Sequence, residues 1–338
     1  MPLLQWFLFL AGLISIIVYS LIILTLRRQR SNALLGGSFF QIVEMQYYSE
    51  VLFFIEFSVT MRFRKYSDLY TYFEPNTEIH GLVPRVVSGI HYYIKIVVYI
   101  GYITFALNRL TSALNISSYN SVNISIWTPQ LMRKIRILKW VLPLLGVVPT
   151  HAWPGFSYWF IVTTSSIRLT NDSLSTALVA YIDGICCLGT CIFCMVCYII
   201  TCCLIRKNWK RVKNSDNVFR KNSAQSAAER SLLISAILSF VVLTLNTVVQ
   251  VVTIVISWGG ATALLFVQDL SYPMIDLMYS HFPWALLLTS GVLRKQMIYD
   301  TKVFLRTALK LDDASVNTIR VGQTVSPATM KTTNRMSK

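Results

Sequence analysis

What most constrains this chain is a series of apolar runs, at 4–26, 34–60, 86–108, 139–162, 177–205, 231–257 and 265–290. A hydrocarbon core about 30 Å thick is crossed by roughly 20 residues of α-helix at 1.5 Å per residue, so each run is long enough to span a bilayer. Only 14% of the residues are charged, against about a quarter in soluble globular chains, which leaves too little polar surface for a fold in water. The reading is an all-α bundle of seven transmembrane helices over residues 1–310. A basic cytoplasmic tail, 311–338, is rich in Ser, Thr, Asn and Lys and is expected to be disordered. No basic segment or small-residue cleavage site precedes the first run, so it is expected to act as a signal anchor.

Basic residues resist translocation and collect on the cytoplasmic side. With the N-terminus outside and the C-terminus cytoplasmic, 25 of the 31 lysines and arginines fall in cytoplasmic segments. Arg62, Arg64, Lys65 and Arg85 are assigned to the first outer loop, and Lys139 to the second cytoplasmic loop. The net charge of +16 then reflects topology and contact with anionic lipid of the bilayer. It argues against nucleic acid, because the basic residues are divided among four loops. The stretch 292–310 alternates Leu293, Met297 and Leu305 with Arg294, Lys295 and Arg306, which predicts a short amphipathic helix on the inner membrane surface. All seven cysteines lie between Cys186 and Cys203 in one apolar run, which implies helix packing and neither a disulfide framework nor a metal site. Cys202 and Cys203, beside Arg206 and Lys207, are candidate palmitoylation sites. No cofactor is expected.

Charges inside the runs carry the chemistry, since an intramembrane ionisable group is costly to retain. His91, Tyr92, Lys95 and Tyr99 share one broad face of the third helix. Asn246 and Gln250 are one turn apart on the sixth, and Asp269, Tyr272 and Asp276 recur on the seventh. Lys95 and Asp276 fall at similar depth, so Lys95 is expected to pair with Asp276 or with Glu50 of the second run. Asp183, near the outer end of the fifth, either lines a cavity or is solvated at the interface. Arg109 closes the third helix, either as a flank charge reaching the headgroups or as a residue that contacts a partner. Of three glycosylation sequons, at Asn115, Asn123 and Asn171, only Asn171 lies outside in this topology. Buried charges also suit an ion channel or secondary transporter, but no internal repeat is present. An intramembrane enzyme finds no support, because no hydrolase or metalloprotease motif appears.

Several short motifs carry a family resemblance: Asn108-Arg109-Leu110-Thr111-Ser112, Ala228-Glu229-Arg230-Ser231-Leu232, Asp269 with Tyr272-Pro273 and Asp276, Pro283-Trp284-Ala285-Leu286-Leu287, and Arg294-Lys295. Through them the chain resembles the nematode serpentine chemoreceptors of the class gamma superfamily, either class gamma itself or class V. The resemblance implies a plasma-membrane receptor of sensory cell endings that detects an extracellular small molecule and activates a heterotrimeric G protein. Arg109, Arg206, Lys207 and Arg230 would then face that partner. Against rhodopsin-like receptors in general, no acidic residue precedes Arg109, no cysteine tops the third helix, and Pro283-Trp284 replaces the usual Asn-Pro-x-x-Tyr element.

Overall fold

The computed structural model describes residues 2–29, 37–117, 126–213, 223–257 and 261–308. Seven long helices run back and forth through one bundle: α1 (Leu3–Arg28), α2 (Ser38–Glu56), α3 (Leu82–Ser117), α4 (Pro129–Ala152), α5 (Ser173–Lys213), α6 (Ser223–Ser257) and α7 (Ala261–Thr289). A further helix, α8 (Gly291–Ala308), follows. Four of them, over Leu3–Arg28, Leu82–Leu114, Leu174–Lys207 and Ser231–Val252, are apolar and long enough to cross a membrane by themselves. The chain divides into the units Met1–Met297 and Ile298–Lys338. The expected tail, 311–338, lies outside the described residues.

In α1 the bundle-facing stripe is Gly12, Ser15, Tyr19, Ile22 and Leu26, at helical spacing, while Phe7, Leu10, Ile14, Ile17 and Leu21 point outward. A helix apolar on both faces is what a bilayer stabilises. Gly12 permits the closest approach of α1, because a Cβ there would lie 2.9 Å from the ring of Phe54 and 3.0 Å from that of Tyr279. α3 is central, packing against α2, α4 and α5. Two apolar clusters fill the bundle. One gathers Phe53, Phe57, Tyr99, Tyr102, Leu243 and Tyr279, and the other Tyr19, Phe39, Val43, Phe105, Phe282 and Leu293.

The connections at one end add a small antiparallel sheet to the helical bundle, with β1 (Glu78–His80), β2 (Tyr158–Val162) and β3 (Ile167–Asn171) in that spatial order. Tyr158 pairs with Asn171 and Val162 with Ile167, and β1 pairs through Ile79 with Phe160. The fourth apolar run is therefore divided. α4 begins ten residues before the expected 139, where Thr128 caps it by accepting from the Leu131 N–H and Pro129 takes the first position. Trp153-Pro154-Gly155 ends the helical part, and Tyr158–Val162 alternates buried and half-buried residues as a strand. Trp159 sits in this strand and stacks on His80 at 5.5 Å. α2 likewise exceeds its apolar run. It continues as a π-helical segment, Phe57–Phe63, and one last turn, Arg64–Tyr66.

Candidate functional site

Between α3, α5 and α6, in the half of the bundle nearer the sheet, four predicted site residues meet. The Lys95 ammonium donates to Asp183 Oδ2 at 2.5 Å, with the two side chains only 4% and 7% exposed. The Tyr99 hydroxyl reaches Asp183 Oδ1 at 3.5 Å. Asn246 Nδ2 donates to the Tyr99 hydroxyl oxygen at 3.3 Å and to Cys187 Sγ at 3.4 Å, and Cys187 meets Thr247 at 3.2 Å. One polar chain thus links three helices. The ring of Tyr92 lies 6.0 Å from the Lys95 ammonium. Gln250 is half-buried one turn nearer the sheet on the face of α6 that carries Asn246.

This pairing corrects the expectation for Lys95. Asp276 and Glu50 are buried, but neither meets it. Asp276 on α7 is held by Arg62, whose Nη2 donates to Oδ2 at 2.5 Å, and by the Tyr279 hydroxyl, while Arg62 Nε donates to Gln5 at 3.3 Å. Glu50 accepts from the Gln46 amide at 2.9 Å. Equal depth sets a necessary condition for pairing, and the direction each side chain takes around its helix sets the rest. Asp183 lies ten residues into α5, deep enough to reach Lys95, and is no interfacial residue.

Arg62, assigned by sequence to an outer loop, is wholly buried. The π-helical turn carries α2 past its apolar run and aims the guanidinium inward, 5.2 Å over the Phe57 ring. π-helical turns concentrate at functional sites. Tyr272 packs on Phe57 at 5.1 Å, and Lys65 lies 4.8 Å over the Tyr272 ring. His91 Nδ1 meets Glu56 at 3.1 Å, tying α3 to α2. No sequence signal marks the partners Gln5 and Tyr279.

Lys139 is also wholly buried and is not a loop residue. Its ammonium donates to Gln46 Oε1 at 2.7 Å, to Ser49 Oγ at 2.8 Å and to the Met45 carbonyl at 3.4 Å. Gly101 makes room for this cradle, since a Cβ there would lie 1.7 Å from Gln46 Oε1. At the end of the bundle opposite the sheet, Arg109 is buried, with its guanidinium on Asn108 Oδ1 at 2.6 Å and 4.3 Å over the Phe39 ring. It does not reach outward as a flank charge, and Asn108 supplies the neutral acceptor beside it. Asn108 Nδ2 in turn donates to Ser38 at 3.0 Å. Arg206 and Lys207 are exposed, Cys203 is exposed and Cys202 half-buried. Arg230 lies on α6 and Asp269 on α7, and their side chains fall outside the described residues. Asn171 ends β3 and is half-buried.

Next to Asn171, Asp172 caps α5. Its carboxylate accepts from the backbone N–H groups of Ser157 at 2.6 Å and Ser175 at 2.7 Å. Burial acts to raise its pKa, but the hydrogen bonds to the charged form win and hold it below the usual carboxylate value. Burial, reinforced by the Asp172 charge, pushes the Tyr158 phenol up to about 12, so it stays protonated and donates to the Thr150 carbonyl at 3.0 Å.

The seven-helix arrangement is that of G protein-coupled receptors. The fold is similar to squid rhodopsin, with a TM-score of 0.64 over 92% of this chain and 87% of that one, at 13% sequence identity. Residues 8–303 match the family described as serpentine type 7TM GPCR chemoreceptor Srv, and the chain belongs to that family. Of the two classes that the motifs left open, the match is to Srv. No curated protein matches the sequence.

Proposed function

We propose that the chain is a chemosensory receptor of the plasma membrane, at sensory cell endings, with its N-terminus and sheet outside. A small extracellular molecule binds among Tyr92, Lys95, Tyr99, Asp183, Asn246 and Gln250, with His91, Tyr272 and Asp276 lining the neighbouring space. The observation that carries this reading is the polar chain from Lys95 to Asn246, which joins α3, α5 and α6. A ligand that alters it acts on three helices at once. The opposite ends of those helices hold Arg109, Arg206, Lys207 and Arg230, where a heterotrimeric G protein docks. Glycan on Asn171, palmitate on Cys202 or Cys203, and α8 lying on the inner leaflet fit the same orientation. The test is a second-messenger assay on cells displaying the receptor, screened with odorants and small metabolites. Arg109→Ala is expected to lower the response at least about tenfold with surface display retained, as loss of a charged hydrogen-bonding contact implies. An unchanged response would remove Arg109 from the coupling surface.

A further inference from the structure

We propose that the molecule recognised between α3, α5 and α6 carries no ionised group at its polar head and presents a hydrogen-bond donor, a hydroxyl or an amide N–H, to Asn246 Oδ1. This rests on the reading of that space as the ligand site and adds the chemistry of the ligand.

The argument follows the protons. Thr247 Oγ1 donates to the Leu243 carbonyl at 2.8 Å, so the Cys187 S–H is the donor in the contact between Cys187 and Thr247. The Tyr99 hydroxyl donates to Asp183. Both neighbours of Asn246 have thus committed their protons and have only lone pairs to offer it. The amide edge facing them must be the NH₂ group, whose two N–H bonds they accept. This leaves Asn246 Oδ1 wholly buried and without a donor among the described residues. Buried acceptors are seldom left unfilled. What fills this one is a donor.

The charges decide the rest. Lys95 and Asp183 neutralise each other at 2.5 Å. An anionic head drawn to Lys95 would leave Asp183 buried without its counter-ion, and an ammonium drawn to Asp183 would strand Lys95. A zwitterion would have to separate the helices that now meet in that contact. A neutral donor disturbs neither charge and fills the open acceptor of Asn246. Gln250, the next polar side chain towards the sheet on the same face, is a neutral amide too.

The test uses the full chain purified in lipid nanodiscs, with thermal unfolding followed in n-hexanol, methyl pentyl ether, n-hexylamine, hexanoate and norleucine. These share a similar apolar length and differ in the head. Hexanol is expected to protect at concentrations roughly tenfold lower than the ether, which accepts but cannot donate, as one hydrogen bond implies. Asn246→Leu should erase the difference between alcohol and ether. Asn246→Asp, nearly isosteric, should shift the preference to hexylamine, and it carries the test should the leucine variant fail to fold. Protection by hexanoate or norleucine at or below the hexanol concentration, equal protection by alcohol and ether, or none by hexanol would overturn the proposal. Nucleotide exchange on an added heterotrimeric G protein is read in parallel. Protection without exchange would sink the signalling function and leave the ligand chemistry standing, whereas exchange driven by the ionic probes would do the reverse.

Discussion

Arg62 and Lys139 are both wholly buried cations on neighbouring helices, and the bundle accommodates them in opposite ways. Arg62 meets a carboxylate on α7, Asp276, with Gln5 of α1 accepting from its Nε. Lys139 meets neutral oxygens of α2, from Gln46, Ser49 and the Met45 carbonyl, while the nearby Glu50 takes the Gln46 amide. An ion pair leaves a stranded charge if either member goes. A cradle of neutral groups strands no charge and loses less when the cation is removed. The sheet half of the bundle is built on ion pairs, Arg62 with Asp276 and Lys95 with Asp183. The Lys139 region is not.

The largest effect should therefore come from Arg62→Met, which strands Asp276 and is expected to cost about 3–5 kcal/mol, the range for breaking a buried pair. Surface display should fall steeply and recover partially when Asp276→Leu is added. A double variant worse than the single one would show that the pair is no unit. Next, Lys95→Met and Asp183→Asn should couple by roughly 0.5–3 kcal/mol in a double-mutant cycle, while Lys95→Met with Asp276→Asn should be additive. The opposite pattern, read from unfolding midpoints of purified receptor, would restore Asp276 as the partner of Lys95.

Lys139→Met probes the other side of the comparison. It leaves neutral acceptors unfilled, at a cost of about 1–3 kcal/mol. A loss matching that of Arg62→Met would erase the distinction between pair and cradle. The smallest effect belongs to Asp172→Ala, a half-buried helix cap expected to cost about 1 kcal/mol. Its pKa is lowered in the folded state, so its stabilisation is complete above the unfolded value of about 4 and is lost as pH falls through the lower folded value. The difference between parent and Asp172→Ala in unfolding midpoint should accordingly close below pH of about 4, and a gap that persists there would assign it to packing.

Much of the bundle was legible in the chain, because crossing a bilayer is a local demand on length and hydropathy that any window of about 20 residues reveals. The residues of the polar centre were legible too. Lys95, Tyr99, Asp183, Asn246 and Asp276 stand out as polar groups in apolar runs. Hydropathy was a poorer guide where it competed with local signals. The Thr128-Pro129 cap and the Trp153-Pro154-Gly155 break divide α4 from β2, although both lie in or beside apolar sequence.

By itself the sequence determined the number of helices in the bundle and most of the charges within it. Only the tertiary structure decided who meets whom. Lys95 lies 88 residues from Asp183 and Arg62 lies 214 from Asp276. A helical position specifies depth along the bilayer normal, whereas pairing also needs the direction around each helix and the identity of its neighbours. A single π-helical turn, which widens α2 by a fraction of a residue per turn and leaves no mark in composition, turned Arg62 from a loop charge into the core of the bundle.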